Sequence, residues 1–180
     1  MRICAVSDTH RYRHELLTAV KNAQPISVIL HAGDETSDAK WLSERVNWPI
    51  FGVAGNWDTP SEKYPAEQSF DFGLHILLVH GHRQRVKEGL TQLAQKSNET
   101  KANIVVYGHS HVAATTIING VLLINPGSLA SPRGRRERTF AIIDIDDLGD
   151  KYAVRVSHCL STGQMVADLS FSTEFKKKQL

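Results

Sequence analysis

Short apolar runs, read as period-two strands, alternate with amphipathic stretches through the first two-thirds of the chain, and each run empties into polar residues. Arg2 to Val6 reads as a strand, and Leu16, Leu17 and Val20 then share one face of a helix near His14 to Asn22. Pro25 punctuates that helix. A second strand is expected at Ile26 to His31, a short helix at Asp38 to Val46, and a third strand at Ile50 to Ala54, after Pro49. The loop "GNWDTPSEKYPAEQ" leads to a strand pair around Phe70 to Val79, a helix near Lys87 to Lys96 and a strand at Ile104 to Tyr107. Strands alternating with helices predict β-α-β units on a mostly parallel sheet.

The last third changes character. In "ATTIINGVLLIN" the pair Asn119-Gly120 separates two β-rich runs, the signature of a hairpin with a type I′ turn. "TFAIIDID", "KYAVRVSH" and "QMVADLSF" read as further strands, so an antiparallel sheet is expected here. No repeat or linker divides the chain, which predicts one domain over residues 1–180 with 175–180 as a flexible, solvated tail.

Composition adds constraints. With 41% hydrophobic and 22% charged residues the chain is an ordinary globular one, and a formal net charge of +2 gives no support to nucleic-acid binding. No run approaches a membrane span, and the opening "MRICAVSD" lacks a signal-like apolar region. Cys4 and Cys159 form no spaced pair, and Cys4 lies in an apolar strand, so a reducing cytoplasm is expected. Nine histidines are the compositional oddity.

Ligands of open parallel sheets bind outside the carboxyl ends of the strands. Here those ends carry Asp8 and His10, then Asp34, then Asn56, then His80, and finally His109 and His111. Each alone has a bland reading, as a turn residue, a helix cap or a hydrogen-bonded structural histidine. Their recurrence at successive strand ends points to one joint metal site. His109 and His111 are the most telling pair, since alternate residues of an extended segment face the same way. Oxygen and imidazole donors without thiolate suit manganese, nickel, iron, zinc or cobalt rather than calcium, with manganese the first choice. So many donors exceed what one catalytic ion with open positions needs. They divide between two ions that share a carboxylate, for which Asp34 is the choice.

The order Asp-x-His, Gly-Asp, Gly-Asn-x-Asp, His-Gly-His, Gly-His-x-His resembles the calcineurin-like metallophosphoesterases. The chain's length and the stretch "INPGSLASPR" make it similar to the small YfcE-type phosphodiesterases. That resemblance implies a four-layer α/β/β/α sandwich of two mixed sheets with the metals at the sheet rim. It also implies Asp8, His10, Asp34 and His111 for one ion, and Asp34, Asn56, His80 and His109 for the other. The expected reaction is hydrolysis of small or nucleotide-like phosphodiesters by in-line attack of a metal-bridging hydroxide, with Asn56 and the histidines steadying the phosphoryl oxygens.

Trp57 stands where many family members have a histidine that protonates the leaving group and small bacterial relatives often have cysteine. Indole cannot donate that proton, which leaves His82, a metal-bound water, or no acid at all for good leaving groups. Trp57 itself either stacks on an aromatic part of the substrate or simply packs. Arg133, Arg135, Arg136 and Arg138 form either a solvated loop or an anion-attracting patch, and Asp144, Asp146 and Asp147 read as a solvated turn. A phosphomonoesterase shares the same ligand chemistry. A non-catalytic interaction scaffold, like the retromer's metallophosphoesterase-like subunit, has no chemical need for the histidine set. Homo-oligomerisation is left open.

Overall fold

The apolar runs are strands buried on both faces. In the computed structural model, which describes residues 1–177, β1 (Arg2–Val6), β2 (Val28–His31) and β3 (Ile50–Gly52) run parallel. They are extended by β9 (Thr139–Asp147), β10 (Lys151–Leu160) and β11 (Phe171–Lys176) into a six-stranded mixed sheet of order β11-β10-β9-β1-β2-β3. A second mixed sheet, of order β4-β5-β6-β8-β7, is built from β4 (Glu67–Asp71), β5 (His75–Val79), β6 (Ile104–Val106), β7 (Ala114–Ile118) and β8 (Val121–Asn125).

Side-chain alternation then sets the layers. Ile3, Ala5, Val28 and Leu30 of the first sheet meet Ile76, Leu78, Ile104, Val106, Leu122 and Ile124 of the second in a core between the sheets. The alternate residues Cys4, Val6 and Ile29 face outward and are covered by Leu16, Ala19 and Val20 of α1 (Arg13–Asn22) and Leu42 of α2 (Thr36–Ser43). Leu77, Val79 and Val105 are covered by Leu93 of α3 (Thr91–Glu99). The result is the expected α/β/β/α sandwich. A strand covered on both sides reads as continuous hydrophobicity, which is why these runs show little period-two alternation.

Several boundaries differ from the sequence reading, each for a local reason. α2 begins at Thr36 because Asp58 Oδ1, remote in sequence, accepts the Thr36 N–H at 2.8 Å. α3 cannot start at Lys87, since Arg85 and Gly89 have φ of 49° and 149°; turns fill that stretch instead. The hairpin is as expected, with positive φ at both Asn119 (52°) and Gly120 (79°). β8, however, also pairs in parallel with β6, and β9 to β11 return to the first sheet, so the last third does not form a sheet of its own. "QMVADLSF" holds a 3-10 turn at Ala167–Leu169 instead of a strand, and β11 begins at its last residue, Phe171. Phe175 and Lys176 belong to β11 rather than to a tail, while residues 178–180 lie outside the described residues. No helix among the described residues is long and apolar enough to cross a membrane.

Candidate metal centre

Both sheets present the carboxyl ends of their parallel strands to the same edge. Asp8 and His10 follow β1, Asp34 follows β2, Asn56 follows β3, His80 follows β5, and His109 and His111 follow β6. One ligand atom from each of Asp8, His10, Asp34 and His111 lies within 4.8 Å of the others, and the same holds for Asp34, His80 and His109. Asp34 belongs to both clusters. Asn56 joins the second through Oδ1, 3.1 Å from His80 Nε2.

The hydrogen bonds around these groups leave unsatisfied atoms that a cation fits. Asp8 is fully buried; its Oδ2 accepts from the Ser7 hydroxyl at 2.6 Å and the His109 N–H at 3.0 Å, but its Oδ1 has no hydrogen-bond partner among the described residues. His80 Nδ1 faces the Ala32 carbonyl at 2.7 Å and must carry the proton there. With Nδ1 so committed, Nε2 points at Asn56 Oδ1, Asp34 Oδ1 at 3.3 Å and Asp8 Oδ1 at 4.0 Å, a cluster of acceptor oxygens that a proton on Nε2 bridges in the metal-free protein and a cation can bridge in its place. His111 repeats the arrangement, with Nδ1 donating to the Ser131 carbonyl at 2.7 Å and Nε2 3.2 Å from Asp8 Oδ1. Imidazoles whose tautomer is fixed by a backbone carbonyl are the usual form of metal-ligating histidine. Buried acceptor atoms crowded together without partners are costly, and a divalent cation removes the conflict.

Acidities report the same field. Burial pushes Asp34 up, but the hydrogen bond and charge of His80, the Trp57 N–H and His10 outweigh it and hold the carboxyl at about 2. Burial pulls His80 and His111 down, yet Asp34 and Asp8 respectively prevail and raise them. His109 falls to about 4 through burial, His80 and the nearby Lys87.

The backbone is strained at the same places. Asp8, His10, Asp34, His109 and His111 all have φ between 40° and 65°, a region non-glycine residues seldom adopt and that concentrates at functional sites. His109 and His111 therefore converge from left-handed loop residues, not by alternation on an extended strand. Gly108 is required for a related reason: its φ is ordinary, but a Cβ there would overlap the Ser7 hydroxyl and crowd Asp8 Oδ2.

The sequence matches the model of the calcineurin-like phosphoesterase superfamily domain over residues 1–148. The chain belongs to that superfamily. Among its relatives, the probable metallophosphoesterase YsnB of Bacillus subtilis is 30% identical over 149 residues, 82% of this chain and 86% of YsnB. Phosphodiesterase MJ0936 of Methanocaldococcus jannaschii is 30% identical over 144 residues, 71% and 83% of the two chains. A predicted phosphoesterase of Streptococcus pneumoniae TIGR4 superposes with a TM-score of 0.78 at 25% identity, covering 97% of each chain. A Vps29 of Entamoeba histolytica (TM-score 0.72, 17% identity, 99% and 100% covered) and the phosphoesterase YfcE of E. coli (0.65, 18%, 96% and 98%) share the fold.

Around the candidate metal centre of this calcineurin-like domain, a cavity of about 300 Å³ is lined by His10, Asp34, Asn56, His109 and His111 together with Trp57, Lys87 and Arg133. Trp57 is 73% exposed and does not pack into the core. His82 is absent from the lining, although its ring lies 5.3 Å from that of His80 and 6.0 Å from that of His109. Burial and the cationic His80 and Arg83 depress it, so it holds little acid proton near neutrality. The other arginines of the basic segment are partly engaged, Arg135 with Asp168 at 2.8 Å and Arg138 over the Tyr12 ring. Asp144, Asp146 and Asp147 pair with Arg2, Arg155 and Lys177 and form no cation site.

Two supporting carboxylates have no role in the sequence reading. Asp38, fully buried, accepts from the Thr9 hydroxyl (2.7 Å), the Arg11 N–H (2.8 Å) and Arg13 Nε (2.8 Å), and so holds the loop carrying Asp8 and His10. Asp58 bridges Gly55 N–H and Thr36, tying the Asn56 loop to the start of α2. Only the motif order "GNWD" places Asp58 near the site; nothing local marks Asp38.

Proposed function

We propose that the chain is a phosphodiesterase acting with two divalent cations on small or nucleotide-like phosphodiesters in the cytoplasm. The sharing of Asp34 between two ligand clusters carries this reading. Asp8, His10, Asp34 and His111 would hold one ion, and Asp34, Asn56, His80 and His109 the other, with manganese the first candidate and nickel, iron, zinc and cobalt chemically acceptable. Such ions supply Lewis acidity toward phosphoryl oxygens and a lowered water pKa. The chain's own part is positioning: Ser7 and the His109 N–H aim Asp8 Oδ1, the Ala32 and Ser131 carbonyls fix the two imidazoles, and the Asn56 amide is placed to steady a phosphoryl oxygen. Neither Trp57 nor His82 serves well as general acid, since Trp57 cannot donate and burial lowers His82. His82 is assigned to supporting His80 and His109. Turnover should therefore depend steeply on leaving-group acidity, and His82→Gln should reduce kcat for an aromatic diester by less than about tenfold.

The likeness to Vps29 supports a second reading, an interaction scaffold on the same fold; the ligand set favours the enzyme. The test assays an aromatic phosphodiester and the matching monoester side by side, after chelation and after adding back manganese or nickel. Chelation should abolish diester turnover, metal should restore it, and Asp34→Asn should lower kcat more than about a hundredfold with an unchanged circular dichroism spectrum. A preference for the monoester would make the protein a phosphomonoesterase. Cleavage of neither ester by metal-supplied protein that binds a partner would establish the scaffold.

A further inference from the structure

A second concavity adjoins the metal cavity. It encloses about 450 Å³ and is lined by Val86, Leu90, Tyr107 and Val112, with Lys87 and Arg133 common to both cavities. The turns that displace the start of α3 build one wall, and the residue after His111 builds the other; Val112 is 40% exposed although apolar. Neither Lys87 nor Arg133 has an ion-pair partner among the described residues. Two uncommitted cations thus stand where an apolar groove opens onto a site for phosphoryl groups, which is charge-complementary to an ester whose anionic centre and apolar arm are adjacent.

We infer that this groove is the subsite for an aromatic arm of the phosphoester, with Lys87 and Arg133 holding the phosphoryl oxygens at the junction. The inference rests on the phosphoesterase reading and narrows its substrate class: esters carrying a flat ring in one arm, not small alkyl esters. Val86, Leu90 and Val112 offer dispersion and burial to one ring face, with Ser110 the one small hydroxyl in the lining, so selectivity for the ring is broad. Exposed Trp57, which also lines the metal cavity, is left for the second arm.

Calorimetric titration of manganese-supplemented protein with phenylphosphonate and methylphosphonate, which share the anion and differ in the arm, isolates the groove. The phenyl probe should bind about tenfold tighter. Val112→Asp should remove that advantage, and Lys87→Ala with Arg133→Ala should weaken the phenyl probe about tenfold and flatten its salt dependence. Equal affinities in the unmodified protein, or an advantage that survives Val112→Asp, would overturn the inference. Should Val112→Asp fail to fold, methyl-group NMR decides: shifts at Val86, Leu90 and Val112 with the phenyl probe alone support the groove, and their absence removes it. A phenyl preference without hydrolysis of any ester would remove the hydrolase and keep the groove; hydrolysis without the preference would do the reverse.

Discussion

Asp34 carries more than its share of the site. It belongs to both ligand clusters, accepts the Trp57 N–H, and is held by a backbone at φ 57° that it tolerates only because the surrounding loops fix it. The candidate ligands that cluster here were legible in the sequence, because carboxylates and imidazoles at successive strand ends are visible without coordinates. What supports them was not: Asp38 looks like any polar residue of a helix, and its three donors come from the β1–α1 loop and the first residue of α1, distant in sequence. Asp38→Ala should cost about 1–3 kcal/mol by stranding the Thr9 hydroxyl and Arg11 N–H. It should also weaken metal affinity about 10–100-fold, as losses of outer hydrogen bonds do. Thermal melting and a metal titration measure the two effects; an unchanged affinity would show that the loop holds its shape alone.

Among the elements, β1, β2, β5 and β6 were readable because burial on both faces makes them apolar throughout. Helix starts were not, since α2 is capped by Asp58 from another loop and α3 is delayed by the left-handed turn at Arg85 and the positive φ of Gly89. β11 escaped detection because its burial alternates residue by residue and the more apolar stretch before it is broken by a 3-10 turn at Ala167–Leu169. The β7–β8 hairpin was readable from two residues. Gly120 sits at φ 79° with open space around it, so Gly120→Ala should cost about 1–2 kcal/mol from backbone conformation alone. A urea denaturation midpoint reads this directly, and no change would mean that the turn relaxes to another type.

For the molecule as a whole, the sandwich places one edge of both sheets over a single centre, and its stability is tied to buried imidazoles outside the ligand set. His158 is buried, with Nε2 2.8 Å from the Asn125 carbonyl and Nδ1 3.2 Å from that of Leu169, and burial depresses it below its ordinary 6.5. A group depressed in the folded state binds more protons when unfolded, so its contribution is complete above pH 6.5 and is lost as pH falls through the folded pKa. The stability difference between the protein and His158→Gln should therefore shrink as pH drops below 6.5; a widening gap would mean that the imidazolium donates to both carbonyls. The central claim is the pair of cations sharing Asp34. It is tested most directly by equilibrium counting of manganese bound per chain. The account predicts two ions, with Asp34→Asn retaining fewer than one; a single ion per chain, or two ions unaffected by Asp34→Asn, would contradict it.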